Sequence, residues 1–154
     1  MLFFLLRLDD DRYALDAGRI VEILPLVTVK RIPQAAAGIA GIIDYHGTPV
    51  PLVDLNQLAL GRPARRRLDT RIVIVDYPDR DGTARWLGLM AERATETMRR
   101  DPADFADPGV GNDTAPYLGP VAADEHGLIQ WIEIDRLLPP SVRDQLFSQP
   151  AAAG

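Results

Sequence analysis

Gly41-Ile42-Ile43-Asp44-Tyr45-His46-Gly47-Thr48-Pro49-Val50-Pro51-Leu52-Val53-Asp54-Leu55 joins two apolar stretches through a short polar turn. Gly47 can take the positive φ that a tight turn demands, so the stretch predicts a β-hairpin. Asp54 closes it and can cap a short helix over Leu55–Leu60, which Gly61 stops.

Working outward, the runs at residues 3–6 and 72–75 have strand length. Alternation is visible at residues 13–16 and again from Leu128 to Asp135. Turn chemistry separates these segments at residues 9–11, 79–82 and His126-Gly127. A second short helix is predicted near the C-terminus, where Ser141 and Asp144 form a capping box before Leu146-Phe147. Residues 102–116 predict a loop, and residues 149–154 a disordered tail.

A weak internal repeat supports two related halves. Ala17-Gly18-Arg19-Ile20-Val21-Glu22 aligns with Ala91-Glu92-Arg93-Ala94-Thr95-Glu96, each after a strand pair. Asp44-Tyr45-His46-Gly47 likewise parallels Asp124-Glu125-His126-Gly127. Two small β-barrels packed on each other would explain the pattern, since a small twisted sheet removes its exposed edges by closing on itself.

At 154 residues the chain is long enough for one compact domain or two small halves sharing a core. Cysteine is absent, which excludes disulfides and thiolate metal sites and suits a reducing cytoplasm. The apolar start is interrupted by Arg7 and Asp9, too early for a signal-peptide core or a membrane span, so a soluble, unexported protein without direct membrane insertion is expected. Net charge is −5, so long-range attraction to nucleic acid or anionic lipid is not expected and partners should be proteins.

Each pattern with chemical potential has a simpler reading. Asp44 with His46, and Asp124 with His126, are zinc-type residues on alternate positions, yet both pairs run into a turn glycine and zinc needs three or four convergent ligands. No metal or cofactor is expected. Asp54, Asp135, Glu22 and Glu96 could supply paired carboxylates for acid–base work, but capping and surface roles account for each. No serine lies in a nucleophile frame, no phosphate-cradling Gly-x-x-x-x-Gly-Lys occurs, and an enzyme is not expected. The arginines at 62, 65, 66, 67 and 71 follow a helix C-terminus, where cations are favoured, and lack the interleaved aromatics that would stack bases. A solvated loop accounts for them. Ile20, Val21, Glu22 and Ile23 cannot all point inward in extended chain; an outward Glu22 puts Ile20 on its face, an apolar and charged patch of the kind interfaces use. Gly41 permits either a bulge or close approach of a partner backbone.

The opening hairpin resembles the signature hairpin of CheW, the adaptor of bacterial chemosensory arrays. Gly41, Gly47, Pro51 and Asp54-Leu55 fall into the family frame, while Asp44-Tyr45-His46 stands where the family carries Asn-Leu-Arg. Arg12-Tyr13-Ala14-Leu15-Asp16 and Ile20-Val21-Glu22-Ile23 are similar to the family's opening blocks. Ile32-Pro33 sits at its bend, 71–76 and 86–91 look like its later strand pair, and 128–138 like its closing strand and turn.

The resemblance implies a mainly β fold of two five-stranded SH3-like barrels sharing a hydrophobic interface, with a few short helices, in a single CheW-like domain over residues 1–148. It implies a non-enzymatic cytoplasmic adaptor, recruited to membrane-bound receptor arrays through protein partners. Those partners are the regulatory domain of a CheA-type histidine kinase and the cytoplasmic tip of methyl-accepting chemoreceptors. Ile20, Glu22, Ile23, Gly41, Ile42 and His46 become candidate partner-binding residues, with strand 86–91 a further face. The two-domain CheV type, with its receiver domain, is not expected. The departures at Asp44-Tyr45-His46 suggest a specialised pathway, such as one governing surface behaviour. Rival readings are a small-ligand-binding β-barrel and a carboxylate-dependent hydrolase.

Overall fold

The computed structural model describes residues 1–110 and 113–147. Nine strands occur in the order β1 (Leu2–Leu8), β2 (Asp11–Asp16), β3 (Ile20–Leu24), β4 (Ile39–Tyr45), β5 (Thr48–Asp54), β6 (Arg71–Asp76), β7 (Trp86–Arg99), β8 (Leu118–Asp124) and β9 (Gly127–Ile132). Two short helices, α1 (Leu55–Leu60) and α2 (Pro140–Leu146), and three 3-10 turns complete the regular structure of the described residues.

The strands form two five-stranded units that share β7. In the first, the pairing runs β3-β6-β7-β5-β4, using β7 from Trp86 to Ala91. In the second it runs β7-β1-β2-β9-β8, using β7 from Glu92 to Arg99. Each unit closes through an isolated bridge, Lys30 to Ile42 in the first and Ala106 to Val121 in the second. The segment at 102–116 is therefore more than a loop: it carries a 3-10 turn at Pro102–Asp104, the buried Phe105 and that closing bridge.

The two units have the same topology, with strands interchanged along the chain. β1, β2, β3, β4 and β5 correspond in order to β6, the first part of β7, its second part, β8 and β9. Both units contain one parallel pair at the equivalent place, β5 with β7 and β9 with β2. Each barrel therefore draws strands from both halves of the sequence. The alignment of Ala17–Glu22 with Ala91–Glu96 is topologically real, but the junctions differ. The first is a 3-10 turn at Ala17–Arg19; the second is a bulge within β7, where Arg93 has φ 48° and the register against β1 shifts.

This arrangement explains the continuous apolar runs, because β1 and β6 are buried on both faces. Phe3 and Leu5 point into the second barrel with Ala14, Phe105, Ala122 and Ile129. Phe4, Leu6 and Leu8 point the other way, into a core between the barrels. Likewise Ile72 and Ile74 fill the first barrel with Ile43, Tyr45, Leu52 and Met90, while Val73 and Val75 join the shared core with Leu87, Leu89 and Ile132. Fully burying each such side chain contributes roughly 1.5–3 kcal/mol.

Asp54 caps α1 as expected, accepting from the N–H groups of Asn56 and Gln57, and Gly61 ends the helix at φ 75°. The capping box at Ser141 does not form. Pro140 takes the first helical position, for which its fixed φ suits it, so the helix begins before Ser141 and Pro139 stands at the cap without a side-chain bond. The closing strand is also shorter than its alternation suggested: β9 ends at Ile132, and Ile134–Arg136 forms a 3-10 turn that puts Ile134 in the shared core. The expected tail at 149–154 lies outside the described residues.

Candidate functional site

The hairpin of β4 and β5 turns through His46 and Gly47, whose φ angles are 51° and 84°. Positive φ at both central residues is type I′ geometry, which matches the twist of the flanking strands. Asp44 steadies the turn by accepting from the Gly47 N–H at 2.7 Å. His46 lies over Tyr45, ring centroids 4.5 Å apart, and its side chain is 74% exposed. Tyr45 in turn meets Trp86 edge-on at 5.1 Å inside the barrel mouth.

β3 lies beside this hairpin at the margin of the first barrel and, among the described residues, pairs with β6 only. Glu22 lies 3.9 Å from His46 Nε2 at the turn. Burial of the phenol, reinforced by the Glu22 carboxylate, holds Tyr45 above its ordinary pKa. Glu22 thus faces the hairpin turn from β3. Val21 and Ile23, 40% and 41% exposed, present apolar surface along the strand.

The sequence-derived candidates divide here. Glu22 and His46 come together at the turn, and Ile23 is exposed on the neighbouring position of β3. Ile20 does not join them: the register of β3 against β6 shifts between Ile20 and Glu22, so Ile20 leaves the face of Glu22 and packs half-buried on the shared core. Val21, which the alternation had turned inward, is brought outward. Gly41 is internal as well. At φ 147° its Cα faces the Lys30 carbonyl so closely that a Cβ would stand 2.2 Å from that oxygen, and the register of β4 shifts beside it. The close approach is made by the chain's own segment. Half-buried Ile42 exchanges both backbone hydrogen bonds with Lys30, at 2.8 and 2.9 Å. Strand 86–91 offers little surface, because β6 and β5 flank it and Leu87 through Ala91 are buried.

Among the acidic residues considered for catalysis or metal binding, Asp54, Asp135 and Asp124 are engaged in structural contacts. Asp54 holds the start of α1 and the Ala64 N–H; Asp135 forms a two-pronged pair with Arg19, which also donates to the Asp76 carbonyl. Asp124 is paired twice with Arg12 and accepts from the His126 N–H, contacts that hold its carboxyl well below the usual range. Among the described residues no three metal-ligating side chains converge. Buried apolar side chains pack inside both barrels.

The two packed barrels carry an apolar margin beside a tight hairpin turn. The model of the CheW-like domain matches residues 2–141. A chemotaxis protein CheW of Bacillus subtilis is 26% identical over 129 residues, covering 82% of this chain and 79% of the relative. One of Helicobacter pylori is 28% identical over 97 residues, covering 62% and 55%. The crystal structure of scaffolding protein TtCheW from Thermoanaerobacter tengcongensis superimposes with a TM-score of 0.77 at 24% identity, covering 90% of this chain and 87% of that one. The chain belongs to the CheW-like domain family, the non-enzymatic scaffolds of chemotaxis signalling. No helix among the described residues is long and apolar enough to cross a membrane.

Proposed function

We propose that the chain couples methyl-accepting chemoreceptors to the regulatory domain of a CheA-type kinase, acting as one unit, and that the β3 margin with the His46 turn is one of its partner-binding faces. The observation that carries the site is internal to the molecule. β3 corresponds to the second part of β7, so Ile20, Val21, Glu22 and Ile23 correspond to Ala94, Thr95, Glu96 and Thr97. Ile20 and Ala94 both meet the shared core, and Glu22 and Glu96 are both acidic. At the outward positions the second barrel carries threonines where the first carries Val21 and Ile23. The fold does not require apolar residues there, and a partner surface explains them.

The kinase's regulatory domain is itself CheW-like by family resemblance, which favours barrel-to-barrel pairing. Receptor state would reach the kinase through rigid contacts on separate faces. Recruitment to receptor arrays follows from the same contacts. The Asp44-Tyr45-His46 turn, in place of the family's Asn-Leu-Arg, supports service in a specialised pathway, because it replaces an always-charged planar fork with an imidazole at an exposed tip.

The test replaces Val21 and Ile23 together by Thr, the residues of the equivalent edge. Binding to the source cell's kinase regulatory domain and receptor cytoplasmic fragments is measured by interferometry. We expect at least about tenfold weaker binding to one partner with stability changed by only about 0.5 kcal/mol per site. Unchanged affinity for both would remove this margin from the interface.

A further inference from the structure

At the other end of the first barrel, between Gly61 and β6, four residues stand out: Arg65-Arg66-Arg67-Leu68. Leu68 is 95% exposed, and all three arginines are exposed. Among the described residues no carboxylate pairs with the side chains of Arg65, Arg66 or Arg67. Three unpaired positive charges side by side are conspicuous in a chain of net charge −5.

The base of this loop is fixed. Ala64 is buried in the first barrel, and its N–H donates to the buried Asp54 carboxylate at 2.9 Å. The Arg65 N–H donates to Glu92 Oε1 at 2.8 Å, while Glu92 Oε2 accepts from Asn56 Nδ2. Buried Thr70 donates its hydroxyl to the Arg65 carbonyl and accepts from the Arg67 N–H at 3.2 Å. Asp54, Glu92 and Thr70 thus hold the backbone on both sides of the arginines, so the loop spends little entropy on presenting its side chains to a partner.

We propose that residues 65–68 form a docking point for an acidic protein segment that carries an apolar side chain, on a face distinct from the β3 margin and independent of the function assigned to it. Charge complementarity selects the acidic partner, and arginine beside an exposed leucine supplies the planar donors and apolar contact on which interface energy concentrates. The flanking charges favour a narrow segment over an anionic lipid surface. Arg62 is paired with Asp9, Arg93 lies near Asp10, and Asp69 follows Leu68, so a broad negative plane would meet these carboxylates along with the arginines.

The probe is a fluorescent peptide of alternating glutamate and leucine, read by anisotropy, with poly-glutamate of equal length for comparison. We expect the wild type to bind the mixed peptide more tightly than poly-glutamate, and added salt to weaken both. The double variant Arg66→Glu/Arg67→Glu should lose at least about tenfold in affinity, and Leu68→Ser about fivefold towards the mixed peptide only, each with an unchanged melting temperature. No binding of the mixed peptide, or equal binding by wild type and variants, overturns the proposal. So does sedimentation with phosphatidylserine vesicles that is lost in the double variant while peptide binding is retained, which would assign the loop to lipid.

Discussion

Gly41→Ala tests how the first barrel closes. A Cβ at this position would lie 2.2 Å from the Lys30 carbonyl oxygen and 2.8 Å from Val29 Cγ1, and the carbonyl cannot move without opening the Lys30 to Ile42 bridge. The φ of 147° adds a conformational cost of about 1–3 kcal/mol for a residue with a side chain. The two bridge hydrogen bonds contribute about 0.5–1.5 kcal/mol each, so loss of stability should reach about 2–6 kcal/mol. That corresponds to a melting temperature lower by at least about 4 °C in a chain of this size. Gly47→Ala is the control, since among the described residues nothing beyond its chain neighbours lies within 4 Å of its would-be Cβ and only the cost of φ 84°, about 1–2 kcal/mol, remains. Urea unfolding of the three proteins at neutral pH gives both differences. If Gly41→Ala is no more destabilising than Gly47→Ala, the contact with Lys30 does not constrain the fold. Binding measured well below the variant's melting temperature then separates the two roles of Gly41: an internal glycine leaves partner affinity nearly unchanged there, whereas a glycine in direct contact with a partner loses it.

Asp124→Asn should destabilise the protein most at neutral pH. The folded-state pKa of Asp124 is depressed, first by the hydrogen bonds from Arg12, so its stabilisation is present above the unfolded value of about 3.9 and is lost as pH falls through the lower folded value. The gap in melting temperature between wild type and variant should therefore narrow below about pH 4, and a gap that widens on acidification would contradict the pairing. Leu89→Ala, in the core between the barrels, should cost about 2–5 kcal/mol and lower both halves together. Trp86 reports on the first barrel and Trp131 on the second, so Trp86→Phe and Trp131→Phe backgrounds allow each half to be followed by fluorescence. Coincident midpoints that shift together are expected, and separate transitions would show that the shared core does not couple them.

The sequence was most legible where a local rule met a tertiary requirement. Runs at 3–6 and 72–75 are continuously apolar because both faces of those strands are buried, and Asp54 with Gly61 marks α1 because a cap and a left-handed stop have few substitutes. It was least legible at irregularities, for a physical reason: alternation carries a face assignment along a strand only while the register is unbroken. The shift after Ile20 exchanges the roles of Ile20 and Val21, and nothing in Ile-Val-Glu-Ile reveals it. The bulge at Arg93 similarly hides that one long strand serves both barrels. Gly41 was ambiguous in sequence because a glycine makes room without saying for what; its neighbour proves to be Lys30. The exposure of Val21 could have been anticipated from the repeat, whose alignment sets it opposite Thr95.

That comparison also separates what the fold needs from what it carries. Where the two barrels share a residue character, as at Ile20 and Ala94 against the common core, packing is a sufficient explanation. Where they share a topology and differ in exposed chemistry, packing cannot supply the difference. Val21 and Ile23 against Thr95 and Thr97 is such a case. The registers Asp76 to Trp86 and Arg71 to Ala91 place the His46 turn and the arginine loop at opposite ends of β6, whose four central residues are fully buried. A partner at one end and an acidic segment at the other would thus be held apart by packed core rather than by loops, the rigid spacing that a scaffold needs if the position of one ligand is to fix that of the other.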